Sequence, residues 1–164
     1  DLTTTEWCDE LVGGVLAAGP NRLDAAALNG IPQVVSVGAL DMVNFGPPNT
    51  IPKKFEGRNF YEHNSTVTLM RTTLEENKNL GEIIGKKVSQ STGEAAFFIP
   101  LKGVSMLDAK DMPFEGKIED EGLFTAIRKH LDQDKVELVE MNNHINDEAF
   151  AVAMADKLME LINK

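Results

Sequence analysis

Three polar segments of this sequence each carry one aspartate, and each follows a stretch rich in apolar residues. The three are Asp41 in residues 38–46, Asp108 in residues 102–108 and Asp147 in residues 142–147. Two carboxylates with water molecules suffice to hold Mg²⁺ against phosphate oxygens, which makes these aspartates candidate metal ligands. Aspartate just before a helix also commonly caps that helix, so capping is the alternative role of each.

The same segments contain residue types that bind phosphate. Lys102 and Ser105 flank Gly103 in an arrangement that resembles a phosphate-cradling turn, and His144 and Asn146 precede a predicted helix whose N-terminus offers N–H donors to an anion. A histidine at a strand end is also commonly bonded to a backbone carbonyl, which is its structural alternative. The P-loop pattern and the Gly-x-Gly-x-x-Gly fingerprint are both absent, so neither of those nucleotide sites is predicted.

Arg71 is the best fixed cation in a further polar segment, residues 61–73. Its guanidinium could bind a phosphate or carboxylate through two hydrogen bonds, or it could pair with an acidic neighbour such as Glu75. Nucleophilic hydrolysis has no support, because the Gly-x-Ser-x-Gly pattern is missing and Cys8 lies in a predicted helix with no histidine near it in sequence. No catalytic residue is therefore predicted.

Helical and strand patterns alternate along the chain. Apolar runs indicate buried strands, and stripes with helical spacing indicate helices between them. The predicted strands cover residues 31–37, 94–101 and 136–141, and the predicted helices cover about 4–17, 23–28, 74–90, 119–132 and 147–163. This alternation predicts right-handed βαβ crossovers and a three-layer, Rossmann-like α/β domain with a mainly parallel sheet over residues 1–164.

Local signals refine these elements. Thr3 with Glu6, and Thr73 with Glu76, have the spacing of capping boxes. Gly13-Gly14 interrupts the first helix and suggests close approach by a backbone or a ligand, with a locally weak helix as the alternative. The proline-rich residues 47–52 cannot continue a regular element and predict a long loop, which is either functional or a plain surface crossing.

A parallel sheet gathers the loops that leave the carboxyl ends of its strands at one edge, where ligands bind. The polar segments that carry the three aspartates follow predicted strands and are expected there. Gly38 and Asn44 join the candidate ligand-binding residues of that rim.

Composition bounds the possible functions. The 164 residues are 42% hydrophobic and 26% charged, which is typical of a globular domain, and the single cysteine suggests a reducing compartment. A net charge of −10 argues against general nucleic-acid binding, which depends on neutralising phosphates. Without a long apolar run or a signal peptide, we expect a soluble, cytoplasmic chain, and its start without methionine suggests a fragment.

Several longer motifs, taken in order, resemble the Tm-one-like ATP-binding domain family. They are residues 3–6, 13–15, 36–46, 63–64, 69–73, 100–105 with Asp108, and 144–147 with Phe150-Ala151. The likeness spans essentially the whole chain. It implies that the chain is the second of two Rossmann-like halves of an ATP-binding region, and that the N-terminal subdomain is its partner.

Three hypotheses follow. The first is a nucleotide-binding subdomain that takes ATP with Mg²⁺ and works together with the N-terminal subdomain. The second is an interaction module that binds that subdomain, or a second copy as a homodimer, without a ligand of its own. The third is a metal-assisted hydrolase or isomerase built on Asp41, Asp108 and Asp147.

Overall fold

Apolar runs form the central sheet, which is parallel and contains, in spatial order, the strands Gln33–Ser36, Ala95–Pro100 and Val136–Met141. The computed structural model describes residues 1–163. Within them the strands are β1 (Gln33–Ser36), β2 (Met42–Phe45), β3 (Phe60–Asn64), β4 (Val67–Arg71), β5 (Ala95–Pro100) and β6 (Val136–Met141). Val35 pairs with Phe97, which in turn pairs with Leu138. Every residue of β5 is buried, as expected for a strand covered on both faces.

Five α-helices cover this sheet within residues 1–163. They are α1 (Glu6–Val12), α2 (Asp24–Leu28), α3 (Leu74–Val88), α4 (Lys117–His130) and α5 (Glu148–Ile162). One core joins Phe97 to Ile84 of α3 and Ile127 of α4. The other lies under α5, where the Phe150 ring meets the Phe98 ring edge-on with their centroids 6.0 Å apart. The predicted three-layer α/β fold is confirmed.

No helix among residues 1–163 is long and apolar enough to cross a bilayer.

The two predicted capping boxes have different outcomes. Thr73 caps α3 as predicted, since its Oγ1 accepts a hydrogen bond from Glu76 N at 3.2 Å while Glu76 Oε2 accepts one from Thr73 N at 2.8 Å. The prediction at Thr3 is wrong, because residues 1–4 instead run beside β1, with Thr3 bridged in parallel to Gly38. Helix α1 consequently begins two residues later than predicted.

A second sheet, antiparallel with the order β2-β4-β3, occupies the part of the chain that was predicted as polar loops. Asn44 of β2 pairs with Leu69 of β4, and β3 and β4 form a hairpin. The proline-rich link between β2 and β3 contains only two single-turn 3-10 helices, Pro48–Thr50 and Lys53–Phe55.

The predicted close approach at the glycine pair is confirmed. Gly13 ends α1 in the left-handed region, with φ at 100°. A Cβ on Gly14 would stand 2.8 Å from the backbone oxygen of Asn44 and would also overlap the carboxylate of Asp9, whose Oδ2 accepts a hydrogen bond from Leu16 N at 2.9 Å. The glycines therefore allow the chain to fold back over the end of its own helix.

Candidate functional site

A polar cleft lies at the carboxyl ends of β5 and β6. It encloses about 570 Å³ and is lined by Leu101, Lys102, Asp108, Ala109, Lys110, Glu115, Lys117, His144 and Asp147. Two backbone hydrogen bonds join the loops that form it, from Lys102 N to Asn143 O at 3.0 Å and from Ile145 N to Gly103 O at 3.1 Å. Four predicted site residues thus share one cleft, namely Lys102, Asp108, His144 and Asp147.

Three lysines line the cleft together with the three carboxyl groups of Asp108, Glu115 and Asp147. Among residues 1–163, no carboxylate lies within 4.0 Å of the ammonium group of Lys102 or Lys110, and Lys117 has only a 4.0 Å contact with Glu115. These side chains can therefore turn towards an anion without breaking a short ion pair. Sequence analysis missed Lys110 and Lys117, although both follow Asp108 in the same polar stretch after β5.

His144 has the structural role that was its alternative. Its Nε2 lies 2.8 Å from the carbonyl oxygen of Ser105, and its Nδ1 accepts the N–H of Asn146 at 3.1 Å. Because Nδ1 accepts a hydrogen bond, the ring proton is on Nε2, and this N–H donates a hydrogen bond to the Ser105 carbonyl oxygen. Gly103, at φ 127°, lets the ring approach, since a Cβ there would stand 2.9 Å from its Cδ2. The ring therefore ties the two cleft loops together.

Asp147 fixes the turn that leads into α5. Its Oδ2 accepts hydrogen bonds from the backbone N–H of His144 at 2.9 Å and from the side chain of Asn143 at 3.1 Å. The bond from His144 is the main cause of the lowered pKa of Asp147. The carboxylate is therefore ionised, and its Oδ2 already accepts two hydrogen bonds.

Asp41 and Ser105 lie beneath the cleft. Ser105 Oγ donates to Asp41 Oδ2 at 2.6 Å and accepts the N–H of Leu107 at 3.0 Å, while Asp41 Oδ1 is buried without a hydrogen-bond partner among residues 1–163. Burial, opposed by the Ser105 bond, raises the pKa of Asp41 to about 6. These residues brace the loop after β5 from below.

Arg71 is buried and pairs with carboxylates, which was its alternative role. Its Nη2 lies 2.8 Å from Asp120 Oδ1 and 3.3 Å from Asp108 Oδ1, and Glu75 is not its partner. The role of Asp120 was missed, although it precedes Leu123, Phe124 and Ile127 with helical spacing on the inward face of α4.

Two carboxylates around one guanidinium leave this buried cluster short of positive charge. Burial, followed by the charge of the neighbouring Asp108, raises the pKa of Asp120 to about 8. The pKa of Asp108 is also raised, chiefly by burial, although the N–H of Val104 donates to its Oδ2 at 2.9 Å. One proton held by this pair keeps the interior close to neutral.

Gly38 and Asn44 have structural partners away from the cleft. Gly38 pairs with residues 1–4, and both the backbone and the side-chain N–H groups of Asn44 donate to Asp9, at 2.7 and 3.1 Å. Neither residue lines the cleft.

Of the three aspartates that were expected to converge, Asp108 and Asp147 line the cleft and Asp41 does not. Asp41 bonds Ser105, Asp108 pairs with Arg71, and Asp147 holds the turn before α5. Within the part of the chain that the structure describes, no three histidine, cysteine, aspartate or glutamate side chains are placed to hold a metal ion. The geometry therefore gives no support to a hydrolase or isomerase built on these three residues.

A parallel sheet flanked by helices, with a polar cleft at its carboxyl edge, defines a Rossmann-like α/β domain. Residues 1–162 match the family described as "Uncharacterised protein family (UPF0261) C-terminal domain". The chain belongs to this family, in agreement with the resemblance found in its motifs.

Its relatives are bacterial and plant proteins. The chain is 60% identical to a UPF0261 protein of Clostridium tetani, over 100% of this chain and 41% of that protein. It is 48% identical to the UPF0261 protein mlr3387 of Mesorhizobium japonicum, over 94% of this chain and 39% of that protein. It is also 42% identical to the ToMV resistance protein Tm-1(GCR237) of Solanum lycopersicum, over 100% of this chain and 22% of that protein. The chain thus spans about two fifths of the length of these bacterial relatives.

Proposed function

We propose that this chain is the C-terminal, nucleotide-binding half of a two-part protein, and that the phosphates of ATP bind in its lysine-lined cleft. The observation that carries the proposal is the meeting of Lys102, Lys110 and Lys117 in one cleft at the carboxyl ends of β5 and β6. That edge is where ligands of parallel α/β sheets bind.

The electrostatics of the chain favour a small anion over a polyanion. The net charge of the chain is −10, whereas the lining of the cleft balances three lysines against three carboxyl groups. Such a local site can bind the phosphates of one nucleotide, whereas a nucleic acid needs an extended basic surface. The volume of about 570 Å³ lies within the range usual for small-molecule sites.

The acidic groups of the cleft bear on how Mg²⁺ would bind there. Asp108 and Glu115 lie at the cleft with the lysines, and a magnesium ion that arrives with the nucleotide takes most of its ligands from phosphate oxygens and water. We therefore propose that Mg²⁺ enters as part of the nucleotide complex.

The N-terminal part of the longer protein would complete the site. Three fifths of the Clostridium tetani relative lies outside the match with this chain. The cleft is open to solvent, and the side chain of Lys117 is 87% exposed. A second domain that closes over this edge would desolvate the phosphates and strengthen their contacts with the lysines.

Calorimetry of the full-length protein with ATP and Mg²⁺ tests the proposal. Replacing both Lys102 and Lys110 with alanine removes two charge-assisted contacts, so we expect affinity to fall at least tenfold, or by about 1.4 kcal/mol. Lys86→Ala is the matched control, since this lysine lies on the exposed side of α3. Unchanged affinity in the double variant, or no binding by a folded wild type, would refute the proposal.

A further inference from the structure

A second cavity adjoins the lysine-lined cleft on the side of α4. It encloses about 420 Å³, and its lining includes Leu101, Lys117, Glu121, Phe124, Arg128 and Glu140; we call it the arginine cavity. Leu101 and Lys117 line both cavities. A ligand whose anionic end lies in the cleft can therefore extend past these two residues into the arginine cavity.

The guanidinium group of Arg128 is held in place by two carboxylates. Its Nε and Nη2 donate to Glu140 Oε1 and Oε2 at 2.7 and 3.1 Å, and its Nη1 donates to Glu121 Oε1 at 2.7 Å. All three nitrogens are thus engaged along the edge of the guanidinium plane, while the side chain is 32% exposed. What Arg128 offers a ligand is therefore its flat face, and that face stacks on aromatic rings.

The charges of the arginine cavity favour an uncharged group over a second anion. Lys117 and Arg128 are set against three carboxyl groups, those of Asp120, Glu121 and Glu140. A phosphate would have to compete with two of these carboxylates for Arg128, whereas a neutral aromatic ring would leave both ion pairs intact. Leu101, which is 40% exposed, adds apolar surface where the two cavities join.

We propose that the arginine cavity binds the purine base of the nucleotide, stacked on the guanidinium face of Arg128, while the phosphates lie in the lysine-lined cleft. This inference rests on the proposed function, because the phosphates bring the base to this position. Every base has a π face, and a purine has a larger one than a pyrimidine. We therefore expect ATP and GTP to bind alike and UTP to bind more weakly.

Calorimetry of the full-length protein with ATP and with inorganic tripolyphosphate, each with Mg²⁺, separates the two cavities. Tripolyphosphate carries three phosphates without a nucleoside. Arg128→Lys keeps the charge but removes the planar face, so we expect the affinity for ATP to fall at least about fivefold. The affinity for tripolyphosphate should be unchanged, which also shows that the variant is folded. Arg22→Lys is the matched control, since Arg22 also pairs with two carboxylates, Asp1 and Glu6, and lines neither cavity.

The outcomes distinguish a failure of this inference from a failure of the proposed function. If folded wild type binds neither ATP nor tripolyphosphate, the proposed function is refuted and the base site with it. If wild type binds both but Arg128→Lys affects ATP no more than Arg22→Lys does, the phosphate site stands and the base lies outside the arginine cavity. Equal losses for ATP and tripolyphosphate in Arg128→Lys would also overturn the base site, because Arg128 would then act on the phosphates.

Discussion

Arg71 was predicted to contact a ligand, but in the structure its guanidinium offsets the charge of buried carboxyl groups. Asp108 and Asp120 both contact its Nη2, and Asp41 is close enough for the guanidinium to oppose the rise in its pKa. Its Nε is buried without a hydrogen-bond partner among residues 1–163. Burying an unpaired charge is costly, so this cluster is stable only if one carboxyl holds a proton.

Stability should therefore fall as pH rises from about 4 to about 8. The pKa of Asp120 is about 8 in the folded chain against an ordinary value of 3.8. The folded state keeps a proton that the unfolded state releases, so the stabilisation is complete below the unfolded pKa and is lost as pH passes the folded one. Asp120→Asn should flatten this dependence between pH 5 and 7 by up to about 1.4 kcal/mol per pH unit.

Urea unfolding at several pH values measures this effect. Asp134→Asn is the control, since it removes an exposed carboxylate elsewhere in the chain. If Asp120→Asn and wild type have parallel stability profiles, the cluster holds no proton.

The meeting of Lys102 and His144 at the cleft was accessible to sequence reasoning, whereas the partners of the buried residues beneath the cleft were not. Lys102 and His144 follow strands of a parallel sheet, and that topology alone places them at one edge. The partnership of Arg71 with Asp120 joins residues 49 positions apart, and it depends on the tertiary packing that brings α4 beside the end of β4. Local spacing carries no signal for such a contact.

Helices and strands were predicted correctly where the local sequence pattern was not opposed by a tertiary interaction. The strand over Val136–Met141 and the helix α3 match their patterns closely. Thr3 had a capping signal, but its segment gained strand pairing with β1 instead. The second sheet was missed because β3 is mostly exposed and polar, so its pattern resembles a loop.

The capping box of α3 should contribute measurably to stability. Thr73→Ala removes the acceptor for Glu76 N, so we expect a loss of about 1 kcal/mol in the free energy of unfolding. Thr73→Ser keeps the hydroxyl and should lose much less. Thermal and urea unfolding of both variants provide the measurement, and equal losses would show that the lost methyl group, not the cap, is responsible.

At the scale of the whole molecule, the proposed nucleotide cleft lies at the carboxyl edge of the parallel sheet. The cleft is open to solvent, as the 87% exposure of the Lys117 side chain indicates, so the N-terminal part of the longer protein could reach it. The chain is about two fifths of the length of its bacterial relatives, which leaves a larger part of the protein for that role.

The isolated chain should bind ATP with Mg²⁺ at least tenfold more weakly than the full-length protein. Its cleft is solvated on the side that the N-terminal part would close, and water screens the contacts between lysines and phosphates. Calorimetry of both proteins in one buffer gives the ratio, with circular dichroism to verify that the isolated chain is folded. Equal affinities would mean that the cleft is complete without the N-terminal part. If the isolated chain is folded and its affinity does not change when Lys102 and Lys110 are replaced, the nucleotide binds elsewhere.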